Sequence, residues 1–418
     1  MTPTPAAEPE APARPALPGE VASEPFRPLP VEIHLEDLPA PFATDSVRRS
    51  PQRVERPDGA KLRVPPGFRV QLFREGLNNA RWLARTPDGR VLVACSRDNR
   101  IVALTDADSN GVAEHAEELV TERQGLDLPF GMIFTDEHFY VGNQAYVLRF
   151  GWRRGQRRLR RPGRPIMELP GGGYRQHWTR NLLLAPDGEH AYLSIGSQSN
   201  VDPERSPRAT IQVVDLATGR MRTFASGLRN PVGLALHPTT GALYATVNER
   251  DHLGDDLVPD YLTQVEEGAF YGWPYAYLSP ELLDPRRMRR GARSERPDLA
   301  RRTRTPEVLF QAHSAALGLA FYGGTAFPAK YRGGAFVAFR GSWNRSQGTG
   351  YQIVFVPFSE QGQALGYYEP FVDGFLVRPT IPTTWGRPVG VLVLPDGSLL
   401  FTEESGGRVY RVSYVGEG

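Results

Sequence analysis

The chain predicts an all-β protein, a six-bladed β-propeller of four-stranded antiparallel blades closed by an N-terminal strand. Three observations carry that expectation. An apolar strand, a Pro-Asp-Gly-like turn and a second apolar strand recur about six times, the mark of a propeller or solenoid. A third apolar run follows in several copies, as in IVALTD, TIQVVD, YQIVFVPF and RVYRVSY, which favours blades of four strands. Helical periodicity is nearly absent between the copies.

In chain order, the copies run Trp82 to Arg97, Phe130 to Asn143, Arg180 to Asn200, Val232 to Val247, Leu317 to Arg345 and Val389 to Tyr414. Each turn supplies backbone angles that strands cannot adopt. Phe68 to Phe73 precedes the first copy without a hairpin of its own. It is expected to pair with Val409 to Tyr414, because an open ring would leave a strand edge bare. Two long inserts, Arg153 to Arg164 and Ser279 to Thr305, read as solvated loops.

Residues 1–60, densest in Pro, Ala and Glu up to Pro30, read as a flexible tail or linker ahead of a catalytic domain over residues 61–418. With 40% hydrophobic residues the core can be large. A net charge of +2 gives no nucleic-acid footprint, and no apolar run approaches a membrane span. No signal segment is visible, so a periplasmic or secreted address requires that one was removed. Cys95 is the only cysteine, which excludes internal disulfides and thiolate clusters. Nearly all basic residues are arginine; lysine occurs only at Lys61 and Lys330.

The first strands of propeller blades begin at one mouth of the channel. Residues at or near those starts are Arg81 and Trp82, His177, Arg229 and Asn230, His313, Arg345 and Arg387. Several guanidinium and imidazole groups aimed at one cavity repel unless an anion lies between them, which suggests a polycarboxylate ligand and a neutral imidazole base. Each also has an ordinary reading. His177 can cap or pack, His313 can pack behind Phe321, Arg345 can lie over Trp343, and Arg387 can sit on the rim. The remaining histidines (His34, His115, His138, His190, His237, His252) are read as surface groups. Asp106-x-Asp108-x-Asn110-Gly111 resembles the front of a calcium loop, with Glu117 in twelfth place but no flanking helices, so a hairpin turn is the leading reading. Between Ala242–Val247 and Phe270-Tyr271-Gly272-Trp273-Pro274 lies a charged loop with Asn248, Glu249, Arg250, Asp251, Asp255 and Asp256. Charged loops on rigid strand pairs are where sites usually sit.

The ordered set HWTRNLLLAPDG (His177 to Gly188), GLRNPVGLALHP (Gly227 to Pro238), NERD with GDD and PDYL (Asn248 to Leu262), FYGWP (Phe270 to Pro274), GSWNR (Gly341 to Arg345) and RPVGVLVLPDG (Arg387 to Gly397) resembles the pyrroloquinoline-quinone (PQQ)-dependent sugar dehydrogenases. The sorbosone dehydrogenase-like branch, related to soluble aldose dehydrogenases, is the most similar, over roughly Pro65 to Tyr414. The resemblance implies a six-bladed propeller holding PQQ and Ca2+, with His177 as base for a sugar hydroxyl or aldehyde hydrate. It implies that Arg229 and Asn230 hold the quinone's carbonyl side, that Arg387, Arg345 and His313 contact the cofactor, and that the backbone carbonyls of Glu249 and Arg250 bind the metal. Electrons would leave to an external acceptor, a quinone or cytochrome. Trp178 and Thr179 stand where the soluble glucose enzymes have small residues, and Leu126 does not match their second-blade glutamine, so the resemblance implies a narrower pocket than glucose needs. Two further readings stay open: a calcium-dependent lactonase on the same architecture, and a non-catalytic propeller that binds a partner protein through its face.

Overall fold

The computed structural model describes residues 15–171 and 177–416. Its β content is high and its helix short, a single α-helical turn at Pro297–Ala300 among the described residues. Six sheets carry the fold. Four hold four strands taken in chain order: Ala80–Arg85 to His115–Thr121, Met132–Phe134 to Arg164–Glu168, Arg180–Leu184 to Met221–Ser226, and Asn230–Leu236 to Val308–Leu309, the last with an insert before its fourth strand. The fifth sheet, Ala316–Phe321 to Tyr367–Val372, differs from the four-stranded expectation. Val31–Glu32 pairs antiparallel with Tyr367–Val372 and makes a fifth strand.

The sixth sheet joins the last three strands of the chain to one that precedes the first sheet. Pro388–Val393, Leu399–Glu403 and Arg408–Tyr414 are completed by Phe68–Arg74, whose register sets Phe68 opposite Tyr414 and Val70 opposite Val412. The pairing lies where the apolar run FRVQLF had been expected to add. Phe68 fixes it in the core, packing edge-on against Phe327 at 4.8 Å and Phe371 at 5.0 Å.

Local chemistry explains the hairpins. At Pro186-Asp187-Gly188, the Asp187 Oδ1 accepts from the N–H groups of Glu189 and His190, each at 2.9 Å, while Gly188 takes φ +72°. The first strand of each sheet adjoins that of the next, and the sixth returns to lie against the first. A repeated latch sets the approach. Thr246 Oγ1 accepts from Gly233 N and donates to Leu317 O, and Thr402 Oγ1 accepts from Gly390 N and donates to Arg81 O. A Cβ at Gly390 would lie 2.5 Å from that Arg81 carbonyl, so only glycine lets the sheets meet.

The tail expectation needs correcting for its described part. Residues 15–60 are laid onto the sheets: Ser23–Pro25 pairs with Leu62–Val64, Val31–Glu32 with the fifth sheet, and Gln52–Arg53 with Thr383–Thr384. Val21 and Leu62 are buried there, so apolar side chains spaced among the prolines anchor the segment. Residues 1–14 and the Gly172 to Gln176 stretch ahead of His177 lie outside the described residues. His237 also departs from its surface reading: it is buried, ringed by Phe321 and Phe358, with Nδ1 accepting from Thr239 and Thr240 N–H. No helix is long and apolar enough to cross a membrane among the described residues.

Candidate active site

The residues that begin the first strands, with the loops beside them, enclose a cavity of about 650 Å³, within the range of small-molecule sites. His177, Arg229, Asn230, Glu249 and His313, five of the expected site residues, line it, together with Arg81. Trp178, Trp343 and Asp251 add walls, and Arg48, Arg97 and Arg340 add positive charge.

His177 sits just ahead of Arg180–Leu184, half-buried, with φ +50°. Its Nδ1 lies 2.9 Å from the Ser197 carbonyl, which can only accept, so Nδ1 carries the proton and Nε2 keeps its lone pair. Burial, then the nearby Arg229 charge, pulls the ring's pKa down to about 3. The imidazole is therefore neutral at ordinary pH.

Arg229 is buried and holds the charged loop in place. Nη1 donates to the Glu249 carbonyl at 2.5 Å, Nη2 to Asn200 Oδ1 at 2.8 Å and to Asp251 Oδ2 at 3.0 Å, and Nε to Asn200 O at 3.1 Å. Burial would raise the Asp251 pKa, but Arg229 and then His313 hold it well below the carboxylate range. His313 bonds Gly254 O through Nε2 at 2.9 Å, and its Nδ1 lies 3.7 Å from Asp251. Burial opposes its charge, yet the Asp251 and Gly254 partners outweigh that and raise its pKa. With both nitrogens turned to protein, His313 is held in the wall with its charged form favoured by Asp251.

Glu249 is the opposite case. It is 3% exposed, and burial pushes its pKa up to about 8 against the pull of Arg229. One oxygen accepts from Arg250 N at 3.0 Å, and the other has no partner among the described residues. Arg250 is not on the cavity wall; its guanidinium lies 3.3 Å from buried Asp284.

Several expectations change here. Arg345 does not reach the cavity: its guanidinium donates to Asp255 O and pairs with Asp256 at 2.7 Å. The cation over Trp343 is instead Arg48, 5.9 Å from the ring. Arg387 is buried and is not among the residues lining the cavity, donating instead to the Arg340 carbonyl at 3.1 Å and the Gly341 carbonyl at 2.9 Å. Trp82 packs on Phe130 at 4.5 Å rather than facing the mouth. The expected mutual repulsion of the arginines is also partly met by the protein. Buried Glu404 takes both Arg81 and Arg340, the latter through Nε at 2.7 Å. Arg340 immediately precedes the Gly341 to Arg345 motif and Glu404 immediately follows the strand Leu399–Glu403, so strand-end position was the signal for both; Arg48 had none.

The fit to a quinone polycarboxylate can be tested on these groups. Arg97 on the cavity wall makes no ion pair among the described residues, and Arg81 and Arg340 share the single carboxylate of Glu404, so the wall keeps an excess of positive charge. Trp178, under the Arg81 guanidinium at 5.1 Å, presents a flat apolar face. An anionic aromatic group suits that set. The calcium expectation at Glu249 and Arg250 does not fit this arrangement, because the Glu249 carbonyl already accepts from Arg229 and a dication there would meet a guanidinium. Among the described residues, one group of three acids converges, Asp106, Asp108 and Glu114, at the turn after the first sheet's third strand and away from the cavity.

The TrAA12-like family matches residues 62–415, and the chain belongs to it. The fold is similar to that of the holo form of the pyranose dehydrogenase PQQ domain from Coprinopsis cinerea, at TM-score 0.69 and 19% identity, covering 87% of this chain and 98% of that one. The calcium structure of the Trichoderma reesei carbohydrate-active enzyme of family AA12 is similar at TM-score 0.69 and 19% identity, covering 92% and 99%. The PQQ-bound aldose sugar dehydrogenase from Streptomyces coelicolor is similar at TM-score 0.56 and 17% identity, covering 84% and 99%. An uncharacterized protein of Borreliella burgdorferi is 28% identical over 373 residues, 84% of this chain and 91% of that one. The pyranose and aldose sugar dehydrogenases among these neighbours are of the group that the sequence motifs resemble.

Proposed function

We propose that the chain is a PQQ-dependent dehydrogenase that oxidises a sugar hydroxyl or aldehyde hydrate, its six sheets forming the blades of a closed propeller around the cavity. The observation that carries this is His177, an uncharged imidazole with Nδ1 held by Ser197 and Nε2 left without a partner among the described residues. The quinone, when bound, supplies a two-electron acceptor for hydride. Everything else falls to the protein. His177 Nε2 takes the hydroxyl proton as the C–H bond gives up its hydride. An anion in the cavity offsets Arg229 and raises His177 basicity toward the working range. Asn230 offers its amide to the ligand, Arg229 adds positive potential and keeps Asp251 in place, and Trp178 restricts the sugar. Electrons then pass to an external acceptor.

Titrating the protein with the quinone, then adding aldoses and an acceptor dye, tests the reading. His177→Ala should bind the quinone as before and lose about 10²- to 10⁴-fold in kcat. Quinone binding that cannot be detected, or equal turnover in that variant, would remove the assignment or the base respectively.

A further inference from the structure

The cavity has a wall that the family match does not include. Residues 42–50 lie before residue 62, where that match begins, yet Arg48 and Ser50 line the cavity. The segment is tied on both sides of the mouth. On one side, Phe42 N donates to Leu253 O at 2.8 Å, and Thr44 Oγ1 accepts from Asp255 N at 2.7 Å. On the other, Arg49 N donates to Trp343 O at 2.7 Å, and Gln52 N to Pro382 O at 2.7 Å. Gly254 keeps this seat close, since a Cβ there would lie 2.8 Å from Thr44 Oγ1.

Charge pairing leaves Arg48 and Arg97 as the cavity cations without an acidic partner among the described residues, and of the two Arg48 is the one braced on a ring. Arg81 and Arg340 share Glu404, and Arg229 has Asp251. Arg48 has no acidic partner among the described residues; its guanidinium lies over the Trp343 ring at 5.9 Å. Stacking leaves the guanidinium edge free to donate a two-pronged hydrogen bond. Asn230 and Arg229 are buried, whereas Arg48 is exposed on the segment that edges the mouth. A small molecule entering through the mouth meets Arg48 at its outward end.

We infer that this segment selects the substrate, and that Arg48, braced on Trp343, binds the carboxylate of an acidic sugar of the uronic-acid class. The inference rests on the sugar-dehydrogenase reading and deepens it.

The test uses the full chain loaded with quinone, D-glucuronate and D-glucose as paired probes, and Arg48→Gln. Calorimetry measures binding of each sugar, and dye reduction measures turnover. The expected result is tighter binding and higher kcat/KM for glucuronate. In Arg48→Gln the glucuronate KM rises about fivefold to tenfold with little change in kcat, and the glucuronate-to-glucose ratio of kcat/KM falls by the same factor. The preference should shrink in 1 M salt, as expected for a partly exposed ion pair. Equal binding of the two sugars, or a glucuronate KM unmoved by the substitution, overturns the inference while leaving the dehydrogenase reading intact. A drop in quinone affinity in Arg48→Gln also overturns it, by assigning Arg48 to the cofactor. Failure of the quinone to bind defeats the underlying reading instead, and glucuronate binding then decides the anion site alone.

Discussion

Replacing Glu249 with glutamine removes an ionisable group from a place where the fold keeps it uncharged. In the unfolded chain this carboxyl titrates near its ordinary 4.5; in the folded protein burial, against the pull of Arg229, pushes it up to about 8. Between those values the native state holds a proton that the unfolded state has lost. Stability therefore falls as pH rises through this window, by about 1.4 kcal/mol per unit for one group. From pH 5 to pH 7 the wild-type protein should lose at most about 3 kcal/mol from this source, while Glu249→Gln loses none of it. Glutamine is nearly isosteric, and its side-chain oxygen can still accept from Arg250 N, so packing changes little. Urea unfolding of both proteins at pH 5, 6, 7 and 8 measures the gap, with other titrating groups cancelling in the difference. The variant should gain steadily on the wild type as pH rises. A gap that stays constant across the range would mean that Glu249 is ionised in the native protein. The cavity would then be less cationic than described, and the argument for a polyanionic ligand weaker.

Two further outcomes follow from the packing. Removing residues through Phe73 takes away the fourth strand of the sixth sheet and buries nothing in place of Phe68, Val70 and Phe73. At roughly 2 kcal/mol for each apolar side chain the loss is comparable with a typical net stability, so cooperative thermal unfolding should disappear; an unchanged melting curve would refute the strand's closing role. Cys95 is fully buried with its pKa pushed up to about 12 by that burial, so a thiol-directed alkylating agent should label the native protein negligibly and the urea-unfolded protein fully. Rapid native labelling would mean that the first sheet opens.

Much of the architecture could be read from local pattern. Apolar runs of strand length and turns such as Pro186-Asp187-Gly188 act through neighbours a few residues apart, so hairpins were legible one by one. The partnering of Phe68–Arg74 with Arg408–Tyr414 was also legible, because a lone apolar strand and a hairpin with an open edge satisfy each other. His177, Arg229 and Asn230 were found because they lie at the starts of first strands or just before them, and strand polarity sends those starts to one end of the sheets.

What the sequence could not decide is which charges cancel. Arg345 and Arg387 looked like cofactor arginines, yet one guanidinium is spent on Asp255 and Asp256 and the other on the Arg340 and Gly341 carbonyls. Glu404, distant in sequence from Arg81, neutralises it. The segment read as a tail or linker carried no signal that Arg48 would reach the cavity. Side-chain pattern along a strand is set within a few residues, so sequence alone determined the sheets and the candidate base. Ion pairing depends on distances between segments far apart in the chain, so only the tertiary structure determined which cations remain free to meet a ligand.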